Sequence, residues 1–389
     1  MNKLDALDKK SEHTQLDSDE LNLKHALHNR LATLLREEEL KWYQRAKVKD
    51  LLEGDANTKY FQLLANGRHR KTRIYKLEQE EGVIEGDAEL QKFITKYYKN
   101  MFGSHDNNSV VMDESYRNDI PQLENEMLIA PFTEEEVKLA IFQMKHNTAP
   151  GPDGFPPEFY QCFWNIIKDD LMAMFIDFHN ETLPIHSLNF GTIILIPKGN
   201  DVKQIQQYRP ICLLNVSFKI FTKVATNRVV KVATRVIKPT QTAFLPGRNI
   251  MEGAIVLHET IHELHTKKHN GIIFKIDFEK AYDKVSWNFL QQALRMKGFS
   301  PKWCSWVQAY VQGGNVGIKV NDHIGPYFQS KKGLRQGDPL SPILFNIVVD
   351  MLAIILARAK NNGQVKGVVP HLVEGGYLFC NTRMTRLFF

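Results

Sequence analysis

One aspartate, Asp277, stands at the end of the apolar run GIIFKIDF, just before a helical pattern begins. Alternation along FKIDF sets Phe274, Ile276 and Phe278 on one face and Lys275 with Asp277 on the other, so the carboxylate projects away from the packed face. An acid where a strand gives way to a helix is a common place for a site in mixed α/β folds, and a divalent metal is the chemistry it suggests. One carboxylate rarely holds a metal by itself, and a helix cap or a surface residue accounts for Asp277 too. Upstream, IPKGNDVKQIQQYRPICLLN frames a loop beside a strand with Lys198 and Arg209. A point charge and a planar fork at such a place suit a triphosphate. Two Gly/Pro-punctuated loops, APGPDGFPPEFY and KGLRQGDPLSP, lead into helices and read equally as connectors. No segment has the GxxxxGK[ST] spacing of a phosphate-binding loop. NGRHRKTRIYK gathers Arg68, Arg70, Lys71, Arg73 and Lys76 into either a solvated basic turn or a patch that contacts phosphates.

The elements that must position these residues form an α+β pattern. Leu27, Leu31, Leu34 and Leu35 recur at helical spacing, and that amphipathic helix runs on toward Leu51 and Leu52 and ends at Gly54. DNNSVVMDESYRND, residues 106–119, has few large apolar residues and reads as a linker or surface loop. Thr133 and Glu136 have capping-box spacing, so a new helix and a new domain are expected to start there. Strands and helices then alternate: GTIILIPK a strand, FKIFTKVATNRVVKVATRV a helix, GIIFKIDF a strand, EKAYDKVSWNFLQQALRMKG a helix closed by Gly298. VGIKVN and GPYFQSKKG are expected to pair as a hairpin, and the last helix to run from Ser341 to about Ala359.

The composition, 43% apolar and 24% charged over 389 residues, is that of a globular chain. A net charge of +6 permits a polyanionic partner without requiring one. Cys162, Cys212, Cys304 and Cys380 show no zinc-ligand spacing and fit reduced thiols. The charged N-terminus lacks the apolar core of a secretion signal, and SPILFNIVVDMLAIILARA is interrupted by Asn346 and Asp350 and is short for a bilayer span. The expectation is a soluble intracellular protein, nuclear or cytoplasmic, without a membrane segment; its oligomeric state is not legible.

Taken in order, APGPDGFPPEFY, IILIPKGN, YRPICLLN, FKIDFEKAYDKVSW and GLRQGDPLSPILFNIVVD resemble the reverse transcriptases of LINE-type (non-LTR) retrotransposons. KWYQRAKVKDLLEGDANTKYF looks like the segment that precedes the polymerase in plant members, and the resemblance covers roughly residues 35–376. It implies a right-hand polymerase with fingers and a palm of antiparallel sheet backed by helices. The expected organisation is a helical, basic region over 1–105, a linker over 106–130 and fingers with a partial palm over 131–376. The thumb and the family's upstream endonuclease are expected to be missing. Asp277 matches the first metal-binding carboxylate and the carbonyl of Phe278 touches the same ion. Tyr282 matches the steric gate against a ribose 2′-hydroxyl, its alternative being an ordinary core aromatic. Lys198 and Arg209 match residues at the incoming triphosphate, and Gln336 and Gly337 the loop against the nascent base pair. Asp338 and Pro339 are read as setting a turn and starting the helix. RNA template, DNA primer and deoxynucleoside triphosphates are the implied partners, and two Mg²⁺ ions about 3.5 to 4 Å apart the implied cofactor.

The family supplies its other carboxylates as YADD on a hairpin expected just past VVPHLVEGG. Here residues 377–389 read YLFCNTRMTRLFF, without an acid and without alternation. Shifted two bases forward, Asn381 with Thr382 encodes Tyr or His, and Met384 with Thr385 must encode Asp; one codon choice for the segment gives SILQYADDTIIF. The tail is therefore expected to be out of frame after Gly376, the chain to hold at most one Mg²⁺ weakly, and polymerisation to fail. The alternatives are a nucleic-acid-binding remnant without catalysis and a decayed element without function.

Overall fold

The computed structural model describes residues 2–46 without 15; 62–64, 66, 67 and 70; 72–103 without 81; 120–270 without 200, 240 and 242; 278; and 280–368. Two compact units divide at Ile74 and Tyr75. In the first, α1 (Asn2–His13) and α2 (Ser18–Ala46) lie together. The polar start is thus helical as well, and the amphipathic helix begins well before Leu27. Asp17 stops the turn between them by accepting from the Glu20 N–H at 2.7 Å while Glu20 accepts from the Asp17 N–H at 3.4 Å, a reciprocal cap. The ion pairs Lys24–Asp8, at 2.8 Å, and Lys10–Glu20 are solvent-accessible and stabilise little. The expected continuation of α2 to Gly54 lies outside the described residues.

The second unit is mixed helix and sheet. It opens with a small hairpin, β1 (Lys76–Gln79) and β2 (Gly82–Glu85), and α3 (Asp87–Gly103). The helices α4 (Gln122–Ile129), α5 (Glu134–Phe142), α6 (Pro157–Cys162) and α7 (Trp164–His179) follow. Part of the segment read as a linker is therefore helical. Next come β3 (Phe190–Pro197), β4 (Tyr208–Leu214), α8 (Val216–Val236) and α9 (Ile250–Thr266). Then α10 (Trp287–Met296), α11 (Pro301–Val311), β5 (Asn315–Val320), β6 (His323–Ile324), β7 (Phe328–Gln329) and α12 (Ser341–Asn361) complete it.

β4 pairs antiparallel with β3, β3 parallel with β5, and β5 antiparallel with both β6 and β7. VGIKVN and GPYFQ do pair, yet β5 also joins β3, which turns the expected hairpin into part of a mixed sheet. The strand read over GIIFKIDF, which would carry the antiparallel palm sheet, lies outside the described residues but for Phe278, and the tail 377–389 lies wholly outside them.

Helix α8 is the centre of the core. Phe221 stacks on Phe175 with ring centroids 4.0 Å apart, and Phe178, Trp306 and Tyr310 pack around them. Each such side chain contributes about 1.5–3 kcal/mol through burial. On the same helix Arg228, 6% exposed, uses its whole fork: Nε and Nη2 donate to Glu136 at 2.6 and 2.7 Å, and Nη1 and Nη2 to the carbonyls of Leu128, Ala130 and Pro131. Thr133 caps α5 by accepting from the Glu136 N–H at 3.2 Å. Glu136, read as the other half of a capping box, is drawn to Arg228.

Helix α12 has the length and apolarity of a membrane span, but half of that window is buried within the protein. Its interruptions explain why: Asn346 and Asp350 are buried and bonded. Asn346 exchanges hydrogen bonds with Gln241 and Ala243, at 3.1 and 2.6 Å. Asp350 pairs with the fully buried Lys297 and accepts from the Lys238 N–H at 3.2 Å. This is the behaviour of a core helix.

Candidate active site

Sheet register brings Lys198 and Arg209 to one end of the β3–β4 hairpin. Ile196 lies opposite Arg209, and the Lys198 N–H donates to the Gln207 carbonyl at 2.9 Å, so both cations belong to the hairpin's far end. By alternation Ile196, Lys198 and Arg209 share a face. Lys198 is exposed and its Nζ donates to the Gln206 carbonyl at 3.0 Å; Arg209 is half-buried.

The loop after β7 is fastened along β4. The Cys212 N–H donates to the Gln336 carbonyl at 2.8 Å, and a Cβ on Gly337, at φ +114°, would stand 2.6 Å from the Cys212 carbonyl oxygen. Only glycine serves there. Burial pushes the Cys212 thiol up to about 11. Arg335 runs inward to Asn189, whose amide in turn donates to the Tyr310 carbonyl at 3.2 Å, and its guanidinium lies 5.8 Å from the Phe218 ring. Ser341 donates to Asp338 at 3.0 Å where α12 begins, so Asp338 does organise the turn into the helix.

The loop's other side is bound to residues 282–287. Gly333 donates to the Val285 carbonyl at 2.8 Å, Leu334 to that of Tyr282 at 2.7 Å, and the Trp287 indole N–H donates to the Gly333 carbonyl at 2.8 Å. A Cβ on Gly333, at φ +91°, would come within 2.7 Å of the Asp283 carbonyl oxygen. These bonds correct the helix expected from Glu279: Lys280 has φ +52°, residues 280–284 form a turn, and α10 starts at Trp287 under the Ser286 cap. The backbone groups of a continuous helix could not have met the loop.

Within that turn Tyr282 is 9% exposed and stacks on Phe345 at 4.8 Å. Asp283 is buried and accepts from the Gln336 amide at 3.3 and 3.4 Å, one contact to each oxygen. Burial raises its carboxyl to about 7, against the opposing pull of Gln336, Lys280 and Lys198. The Lys280 ammonium sits over the Tyr97 ring at 4.6 Å and bonds its hydroxyl. Asp283, Arg335 and Asn189 escaped the sequence reading. Asp283 falls inside the helix expected from Glu279, and Ser286, which caps α10, is a local signal against that helix.

Asp277 lies outside the described residues, as do Arg68 and Lys71. Phe278, read as part of a packed face, is 42% exposed. Arg70 is exposed and Arg73 partly so, both in the first unit. Among the described residues no group of three or more His, Cys, Asp or Glu is placed to hold a metal.

Residues 196–366 match the family model for reverse transcriptase (RNA-dependent DNA polymerase). A transposon TX1 149 kDa protein of Xenopus laevis is 26% identical over 321 residues, 81% of this chain. The Pol polyprotein of the type-2 retrotransposable element R2DM of Drosophila melanogaster is 27% identical over 262 residues, 67% of this chain. The chain spans 24% of the length of each. A solved partial Cas6-RT-Cas1–Cas2 complex aligns at 14% identity over 68% of this chain and 39% of that one, with a TM-score of 0.33, too loose to carry residues across. A GLRQGDP loop riveted between a Lys/Arg hairpin and the AYD turn, inside a segment matching the polymerase family, leads to one assignment: residues 196–366 are a reverse transcriptase domain of the kind carried by non-LTR retrotransposons.

Proposed function

We propose that this domain is built for RNA-directed DNA synthesis, taking deoxynucleoside triphosphates onto a DNA primer along an RNA template. The observation that supports it most is the double fastening of residues 333–337, on one side to the edge of β4 and on the other to the turn holding Tyr282 and Asp283. A base pair needs a rigid wall to be judged against, and such a loop is one. In this reading Lys198 and Arg209 receive the triphosphate, and Gln336 with Gly337 lies against the nascent base pair. Tyr282, held by Phe345, is the gate against ribose. Residues 131–376 are the fingers and part of the palm of a right hand, in a plant-like element, and Arg68, Arg70, Lys71 and Arg73 contact nucleic acid.

Reverse transcriptases generally use divalent metal ions. Asp277 and the Phe278 carbonyl are the proposed Mg²⁺ ligands, one carboxylate being too few for two ions. The described residues add no ligand cluster. The acid-free stretch 377–389 occupies the place of the second carboxylate motif, so binding should outlast chemistry. Losing about 4 kcal/mol of barrier lowering already slows a step roughly a thousandfold.

The test is primer extension on an RNA template with Mg²⁺, run on residues 1–389 and on a form with the YADD frame restored and extended. The expected result is triphosphate binding without extension by the first and extension by the second. Extension by residues 1–389 that Asp277→Ala abolishes would overturn the inactive reading. Salt-dependent RNA binding with no triphosphate binding would favour the non-catalytic remnant instead.

A further inference from the structure

We propose that Asp283 is a positioning residue of the nucleotide pocket, its carboxyl holding the Gln336 side-chain amide in the orientation that meets the incoming deoxynucleoside triphosphate. This rests on the reading of Gln336 and Lys198 given above. Three observations carry it. Asp283 is 3% exposed, yet among the described residues its carboxylate bonds the Gln336 amide and has no ion pair of the kind that neutralises Asp350. Its own backbone is fixed: the Gly333 and Leu334 amides bond the carbonyls on either side of it, and Gly333 lies against its main chain too closely for any side chain. Asp283 and Gln336 also line one small cavity with Pro210, Cys212 and Lys332, beneath the hairpin that carries Lys198 and Arg209.

The chemistry follows from what a carboxylate can do. Ionised, it only accepts, so it turns the Nε2 end of the amide toward itself and leaves Oε1 as the other end. Protonated, it also donates, and the better partner is then Oε1, which reverses the amide. A glutamine reads a nucleotide by which of its two ends it presents, so the state of Asp283 is transmitted to the ligand. The groups facing the carboxyl are Lys280 on its own turn, Lys198 beyond β3 and Tyr98 on α3, while Lys332 and Arg335 on the loop line the same cavity. The two lysines named first favour the ionised form, and burial opposes it.

The experiment is equilibrium binding of a labelled deoxynucleoside triphosphate with Mg²⁺ to residues 1–389. It compares the wild type with Lys198→Ala, Gln336→Leu, Asp283→Leu, Asp283→Asn and the double Asp283→Leu/Gln336→Leu. We expect Lys198→Ala to weaken binding about tenfold, and Asp283→Leu and Gln336→Leu about fivefold each, the size of one hydrogen bond. The double variant should lose no more than either single one. Asp283→Asn keeps the acceptor and the shape, so it should bind as the wild type does near pH 8. The wild type should weaken as pH falls through about 7. Asp283→Asn should lack that step, while the triphosphate's own titration is common to both. Additive losses in the double variant, or an unchanged pH step in Asp283→Asn, would overturn the positioning role while leaving the nucleotide reading intact. No triphosphate binding by the wild type, or none of it sensitive to Lys198→Ala, would remove that reading and the proposal with it.

Discussion

Two buried carboxylates, Asp350 on α12 and Asp283 in the turn before α10, sit in opposite chemical situations. Asp350 is 2% exposed and faces a cation that is itself wholly enclosed, Lys297, which also donates to the Val236 carbonyl at 2.7 Å. Burial lowers the Lys297 ammonium below the ordinary lysine range, and the Asp350 charge works against that fall. Asp283 is equally buried, but its partner is a neutral amide at 3.3 Å. An acid matched by an adjacent cation fastens two helices and does nothing else. An acid matched only by an amide is left able to titrate near neutrality, and such groups gather at functional sites.

The largest effect expected on this contrast is from Asp350→Ala. It strands a buried ammonium and should cost about 3–5 kcal/mol in denaturant unfolding, whereas Lys297→Met with Asp350→Leu should recover most of that loss. If the single substitution costs under 1 kcal/mol, the pair is not the fastening described. Next is Gly333→Ala, at φ +91° with the Asp283 carbonyl 2.7 Å from the added methyl, which should destabilise by about 2 kcal/mol and loosen residues 333–337 in hydrogen exchange.

Smaller within any one pH unit is the pH dependence of stability. The folded Asp283 carboxyl titrates near 7, above its unfolded value, so between the ordinary carboxylate range and about 7 the folded state binds the extra proton. Its contribution therefore falls as pH rises through that window, by about 1.4 kcal/mol per pH unit, and is flat above it. The wild type minus Asp283→Asn difference in unfolding free energy isolates that slope from Asp153 and Asp338, whose carboxyls burial also raises. A difference that does not change with pH would show that Asp283 does not titrate in that window. The smallest effect is that of Gln336→Leu, which removes an amide that favours the ionised acid and should move the Asp283 inflection to slightly higher pH.

What can be read along the chain and what cannot divide at the same place. Thr133 caps its helix, Gly298 with φ +86° ends another, and Asp338 makes the turn before Ser341, because each acts on backbone within four residues of itself. The β3 strand and the placing of Lys198 and Arg209 about one loop are legible for a similar reason, whereas β4 and its pairing with β3 across residues 198–207 are not. The helix drawn through Asp283 failed. Local propensity favoured its continuation, and the loop's bonds to Tyr282 and Val285, from about fifty residues away, outweighed it.

The family resemblance and the glycine-punctuated loops are properties of neighbours on the chain and are legible along it. Tertiary structure alone decided the partners: Glu136 for Arg228 rather than for its own cap, Lys297 for Asp350, Gln336 for Asp283. Each of those pairs closes a gap of more than fifty residues. A buried polar group takes whichever complementary group the packing brings within hydrogen-bond reach, and no local pattern encodes that distance.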